Sequence, residues 1–327
     1  MRKFVEYDDG VTIRIWKSDT DPLDDVLFLM NESSEAEITE EWLENKLSWG
    51  RGGIAVIAYD QTVPIGLVLF GSAPYVEFMR PTNVLLALYN YVSSEYRGRG
   101  VYNRLLTIFD EACKAEGFDL ALVYPNHMAR PAIKKNHWSA LSPMQAYVHI
   151  PLSPRLGRMF TRVRRLWNSR NEEFVPIQSH GIDHSELDKF LNHPIESQRL
   201  QFAPSPAALK YRFNTLRGPG YHAIHGESVS AIVRVGWRGS ISEVQFMAAF
   251  PSRISAKGWR ELLRLIKASY APDMVSRIES NRESNAAVSL VSGFLKLRQV
   301  TIPFWKSYQG RPALDDPILA GIDIHTW

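Results

Sequence analysis

The sequence predicts an α/β protein built from two tandem domains, each a mixed β-sheet flanked by helices. Three observations carry this reading. At 327 residues the chain exceeds the size at which one hydrophobic core stops growing, so two domains of about 150 residues each are expected. Segments with the two-residue period of strands alternate with segments of helical period along the chain. The second half then repeats, more weakly, the order of the first. Hydrophobic residues at 45% and charged residues at 22% are ordinary globular values, which argues against extended disorder.

The elements follow in order. Val11 to Trp16 alternates apolar and polar side chains, as a half-buried strand does. Asp21 and Pro22 open a helix over Leu23 to Met30, and the spacing of Thr39, Trp42, Leu43 and Leu47 marks a second, amphipathic one. Ile54 to Tyr59 and Ile65 to Phe70 flank a polar turn and predict a hairpin. Prolines bound an expected loop from Ser72 to Thr82, after which Val84 to Val92 predicts a central strand buried on both faces. Val101 to Glu116 carries a helical stripe through Leu105, Phe109, Ala112 and Cys113 and closes at Gly117. A buried strand at Leu120 to Tyr124, a short helix between Ala129 and Asn136 and a terminal strand near Met144 to Ile150 complete the first domain.

In the second half, Val229 to Trp237 and Glu243 to Phe250 predict strands, Ala256 to Tyr270 an amphipathic helix, and Met274 to Ile278 a further strand. Asn136-His137-Trp138-Ser139-Ala140-Leu141 and Ser292-Gly293-Phe294-Leu295-Lys296-Leu297 are the closest echo between the halves, and suggest a structural duplication. The expected division is residues 1–152, a linker over 153–173, and residues 174–327. Around that linker Arg155, Arg158, Arg162, Arg164, Arg165 and Arg170 stand without an acidic residue among them. They fit a solvated linker helix, or a contact with a phosphate-bearing ligand or an acidic surface of the other domain.

The net charge of +3 points to no partner class. The N-terminus has charges of both signs and no apolar run, and the longest such run, Val84 to Tyr89, is too short to span a bilayer, so a cytoplasmic location is expected. One cysteine excludes an intramolecular disulfide and a Cys-cluster metal site. Because Cys113 falls on the apolar stripe of a helix, it reads as core, not as an acyl-carrying nucleophile.

Chemistry concentrates in Glu95-Tyr96-Arg97-Gly98-Arg99-Gly100, between the central strand and the helix that starts at Val101. A glycine-rich turn entering a helix presents free backbone N–H groups at the positive end of the helix dipole, which suits a pyrophosphate. Gly98 and Gly100 allow the required backbone angles and close approach, while Arg97 and Arg99 add cationic donors. A dinucleotide-binding Rossmann loop fits poorly, since Arg104 occupies the third glycine position, and a P-loop fails for lack of Gly-Lys-Ser/Thr.

On these residues the segment resembles the GNAT superfamily of acyl-CoA N-acyltransferases, whose pyrophosphate loop reads Arg/Gln-x-x-Gly-x-Gly/Ala. Arg97, Gly98, Arg99, Gly100, Val101 and Tyr102 fill that pattern, with Tyr102 where a small residue is usual. The likeness covers residues 11–150 and includes the hairpin around Gly66 and Trp138, before which His137 replaces the usual glycine. Tyr124-Pro125-Asn126 is similar to a Phe-Pro-Asn found in two-domain members, some of which acylate nucleotide-linked amino sugars. The resemblance implies tandem GNAT-like domains, the second degenerate, with one acyl-CoA site formed by Arg97 to Tyr102 together with Tyr91 and Val92 of a splayed strand. It implies direct transfer of an acetyl or short acyl group to a small-molecule primary amine. Asn126 would orient the amine or a relay water, and Tyr124 or Tyr147 would protonate the departing thiolate. Glu77 and His127 are the candidate general bases.

Other classes remain open on the sequence. A CoA-binding sensor or scaffold without catalysis is suggested by Tyr102, His137 and the absence of an unmistakable base. An aminoacyl-transferring peptidoglycan enzyme would share tandem folds, but such enzymes usually lack the loop at Arg97 to Gly100. Nucleic-acid binding rests on the arginine cluster alone.

Overall fold

A computed structural model of the chain describes residues 4–17, 21–34, 37–47, 51–77, 80–150, 174–177, 182, 184–192, 201–202, 209, 220–251, 254–280 and 294–308. The arginine cluster at 155–170 and the first two residues of the echo, Ser292 and Gly293, lie outside them. No helix among the described residues is long and apolar enough to cross a membrane.

The first unit opens with β1 (Phe4–Glu6) and β2 (Val11–Lys17), then α1 (Asp24–Ser33) and α2 (Glu40–Leu47). An antiparallel meander follows through β3 (Gly53–Asp60), β4 (Val63–Glu77) and β5 (Arg80–Val92). α3 (Val101–Ala115) then leads to β6 (Leu120–Val123), which pairs parallel to β5, and on through α4 (Arg130–Lys135) to β7 (Ser139–Ala140). β3 shows how the two-residue period builds both faces of this sheet. Ile54, Val56 and Ala58 pack under α3 with Leu105, Phe109 and Cys113. Ala55, Ile57 and Tyr59 pack beneath α1 and α2 with Val26, Leu29 and Leu43. Phe70 stacks on Phe109 with ring centroids 4.2 Å apart, which fixes α3 over the middle of the sheet.

The expected loop at Ser72 to Thr82 is instead an extension of the β4–β5 ladder, in register from Ser72↔Leu85 to Glu77↔Arg80. Pro74 and Pro81 suggested a break, but β3 leaves β4 at Gly53↔Gly71 and β6 joins β5 only from Val84↔Leu120. A proline nitrogen turned to the outer side of either strand therefore lacks no β3 or β6 carbonyl.

The second unit contains β8 (Met144–His149), β9 (Phe174–Pro176), α5 (His184–Asp188), β10 (Gln201–Phe202), β11 (Tyr221–His225), β12 (Ser230–Arg238) and β13 (Ile241–Phe250). α6 (Ala256–Tyr270), β14 (Met274–Ser280) and β15 (Leu295–Thr301) follow. Its sheet runs β11-β12-β13-β14-β8-β15, with β9 beside β12. An antiparallel pair, a helix and a strand parallel to the second of that pair recur here as β12, β13, α6 and β14, matching β4, β5, α3 and β6. Trp259, Leu262 and Ile266 of α6 cover Val233, Val244 and Phe246, while Leu187 and Phe190 pack with Ile232 and Met247.

The chain then returns. β16 (Phe304–Ser307) lies antiparallel between β6 and β7, and the first sheet runs β1-β2-β3-β4-β5-β6-β16-β7. Chain contacts accordingly group residues 1–141 with 302–315 and residues 142–301 with 316–327. This differs from the division read from the sequence at two strands. Met144–His149 pairs with β14 and β15, and Phe304–Ser307 takes the place beside β6. Local pattern reports that a strand is buried, not which sheet buries it. Lys306 fastens the returning strand to α3, donating from Nζ to Asp110 Oδ2 at 2.5 Å and to the Asn136 carbonyl at 2.6 Å, while the Tyr308 hydroxyl donates to Asp110 Oδ1 at 2.9 Å.

Candidate functional site

β5 ends at Val92, a 3₁₀ turn spans Ser94–Tyr96, and the chain enters α3 through Arg97 to Gly100. Gly98 and Gly100 have φ of 77° and 80°, left-handed values that cost a side-chain-bearing residue ~1–2 kcal/mol. A Cβ built on either meets no protein atom within 4 Å, so the backbone angle requires glycine here and open space faces the loop. The Arg104 amide is bonded to the Gly100 carbonyl at 3.2 Å, and Gly100 has no side chain to cap the helix. The amides of Val101, Tyr102 and Asn103 thus precede the helical ladder and remain available to an anion.

The arginines divide their work. Arg97 donates from Nε to the Val92 carbonyl at 2.9 Å and lies 5.9 Å from the Tyr91 ring, which ties the loop to the strand end. Arg99 sits over the Tyr96 ring at 5.1 Å and does not line the cavity below. Tyr96 in turn donates its hydroxyl to Asp60 at 2.5 Å, anchoring the turn to the β3–β4 hairpin.

β5 and β6 pair at Val84↔Leu120, Leu85↔Ala121 and Leu86↔Leu122, and no further. β5 continues to Val92 with β4 alone, and a bulge places Leu88 opposite no partner between Leu69↔Tyr89 and Phe70↔Ala87. The edge of Ala87–Val92 that faced β6 is therefore unpaired by any described strand. A cavity of ≈ 600 Å³ opens where this edge, the loop and α4 meet. Of the residues the sequence proposed for acyl-CoA, Tyr91, Val92, Arg97, Gly98, Gly100, Val101 and Tyr102 line it. Tyr96 of the same motif lines it too, as do Asn90, Asn103, Met128, Ala129, Pro131, Ala132 and Lys135, which were not anticipated. Ala132 and Lys135 stand at i and i+3 on α4, a helical-face spacing that could have revealed them.

The proposed catalytic residues scatter. Asn126 lines the cavity, and its Oδ1 accepts from the amides of Met128 at 3.0 Å and Ala129 at 2.9 Å. Both lone pairs of that oxygen hold the turn into α4, leaving the amide nitrogen as its functional end. Tyr124 is half-buried just past β6, and His127 is exposed in the following turn; neither lines the cavity. Glu77 ends β4 opposite Arg80. Tyr147 is 1% exposed in the core of the second unit, beneath the Arg277 guanidinium at 5.2 Å, because its strand joins the second sheet. No carboxylate or imidazole stands among the described lining residues.

The corresponding helix of the second unit starts differently. Ser255 caps α6 by accepting the Gly258 amide at 3.1 Å, so that helix end satisfies itself where α3 leaves its amides open.

A mixed sheet whose meander leads through a helix to a parallel strand, in a two-domain arrangement, is similar to the fold of GCN5-related N-acetyltransferases. The structure is similar to that of a GCN5-related N-acetyltransferase from Anabaena variabilis, with a TM-score of 0.62 and 12% identity over 93% of this chain and 75% of that one. It is similar also to one from Kribbella flavida (TM-score 0.56, 13% identity, covering 92% and 72%). Eis1 from Mycobacterium abscessus matches with a TM-score of 0.57 and 11% identity, covering 91% and 73%. These likenesses establish the fold. No family model and no curated protein matches the sequence.

Proposed function

We propose that this chain is an acyl-CoA-dependent N-acyltransferase that moves an acetyl or short acyl group directly from a CoA thioester to a primary amine. The observation that carries the reading is the ≈ 600 Å³ cavity at which the open amides of α3 meet the unpaired edge of β5. The amides of Gly98 to Asn103 and the Arg97 side chain would hold the pyrophosphate of acyl-CoA, with Lys135 also lining the cavity. The edge of Ala87–Val92 would hold the pantetheine and offer backbone N–H groups to the thioester oxygen as charge develops on it. The cosubstrate supplies an activated acyl carbon; the protein positions it and shields it from water.

Transfer forms a C–N bond to the amine as the C–S bond breaks, and the amine proton must leave as the thiolate gains one. With no carboxylate or imidazole among the described lining residues, the amine enters neutral or gives its proton to water. Asn126, through its nitrogen, would steady the acyl oxygen or a relay water. The acceptor we favour is an amino sugar carried on a nucleotide, on the resemblance at Tyr124-Pro125-Asn126 and on the arginines at 155–170, which suit a diphosphate.

The test is a thiol-release assay with acetyl-CoA against a panel of amines that includes nucleotide-linked amino sugars. Amine-dependent release is expected, with kcat/KM rising with pH up to the acceptor's own pKa. Tight CoA binding without release for any amine would instead favour a sensor. A rate plateau near neutral pH with a high-pKa amine would show that the protein supplies a base.

A further inference from the structure

Asn103 is the third residue of α3 and lines the cavity. Its side-chain oxygen accepts from Asn136 Nδ2 at 3.1 Å. The direction of that bond is settled by its neighbour. Asn136 Nδ2 gives its second hydrogen to the Ala132 carbonyl at 2.9 Å, and a carbonyl can only accept, so the atom between Ala132 and Asn103 is the donating nitrogen. Asn103 must then turn its oxygen to Asn136, which leaves its own Nδ2 with two free N–H donors. That nitrogen has no partner among the described residues and, unlike the Tyr102 hydroxyl, is not closed off. Lys135 ends α4 beside Asn136, and its exposed side chain lines the same cavity. The Asn136 carbonyl accepts from Lys306 Nζ at 2.6 Å, so the returning strand braces this seam between α3 and α4.

We propose that Asn103 and Lys135 form a second anion subsite, which takes the ribose 3′-phosphate of CoA, with Asn136 as the positioning residue for Asn103. The proposal rests on the acyl-CoA reading above for the identity of the ligand. The order of the cavity wall supports it. The strand edge at Asn90 to Val92, the loop at Arg97 to Gly100 and the seam at Asn103 and Lys135 follow one another, as pantetheine, diphosphate and phosphorylated ribose do along CoA. A free amide donor beside an ammonium suits a phosphate more than a neutral base or sugar.

The experiment is calorimetric titration of the full chain, Asn103→Asp and Lys135→Met with CoA and with 3′-dephospho-CoA. Asn103→Asp keeps the acceptor for Asn136 and replaces only the free nitrogen, so the fold is retained, which thermal midpoints check. The wild type is expected to prefer CoA, and each variant to lose that preference by about 10-fold, as for one hydrogen bond to a charged oxygen. Asn136→Ala should lower the preference too, whereas a purely structural role would weaken both ligands alike. Equal wild-type affinity for the two ligands overturns the proposal and leaves the acyl-CoA reading standing, as does an equal loss for both in Asn103→Asp. Absence of binding for either ligand overturns both.

Discussion

A carboxylate introduced at Gly100 would project into the open space before the loop, since no protein atom lies within 4 Å of a Cβ built there. Gly100→Glu is expected to weaken CoA binding at least ~100-fold, from like-charge repulsion added to left-handed strain. Gly100→Ala separates the two, with a stability loss of ~1–2 kcal/mol in denaturant titration and a smaller loss of affinity. Asn126 admits a similar separation. Asn126→Ala should lose ~1 kcal/mol of stability with the turn, whereas Asn126→Asp keeps both acceptor bonds. If turnover falls in both variants, the amide nitrogen takes part in transfer; rescue by the aspartate would confine Asn126 to holding the turn. Cys113 is fully buried, and burial pushes its thiol well above the ordinary value. Alkylation by iodoacetamide should therefore be negligible until the protein unfolds, and rapid native labelling would reopen an acyl-cysteine route.

Among the elements, the loop was legible because two positive-φ glycines and a helix start are local properties. α4 was legible as a helix, but its cavity face was not read, because a short amphipathic helix looks the same whether it borders a core or a ligand. Asp110 on α3 gives the returning strand a measurable signature. Burial raises its carboxyl above the usual range, against the opposing hydrogen bonds from Lys306 and Tyr308. A carboxyl raised in the folded state contributes stability below its unfolded pKa and loses that contribution as pH rises through the folded value. The stability difference between wild type and Asp110→Asn should thus shrink from pH 4 toward neutrality, in urea midpoints measured across that range. A difference that grows with pH would mean that Lys306 dominates the pair.

At the scale of the whole molecule, composition, length and alternating periods sufficed for two mixed sheets flanked by helices. They did not reveal the exchange of strands. Phe304–Ser307 is too short to show a period, and Met144–His149 reads as a buried strand in whichever sheet receives it. The same exchange removed Tyr147 from the candidate site, a consequence no motif around residue 147 could signal. Ending the chain at residue 301 would delete Phe304 and Trp305, respectively 1% and 7% exposed, and open the edges of β6 and β7. Loss of each buried aromatic costs ~3–5 kcal/mol, so the truncated chain should lose both a cooperative unfolding transition for the first unit and its CoA binding. Retention of both would show that β16 is dispensable.

We propose that the loop at the start of α3 binds the diphosphate of acyl-CoA. Calorimetric titration of the full chain with acetyl-CoA, beside Gly100→Glu, tests it most directly. Saturable binding at one site per chain, abolished by the substitution, is the expected result. No binding by the wild type, or equal binding by the variant, would contradict the account.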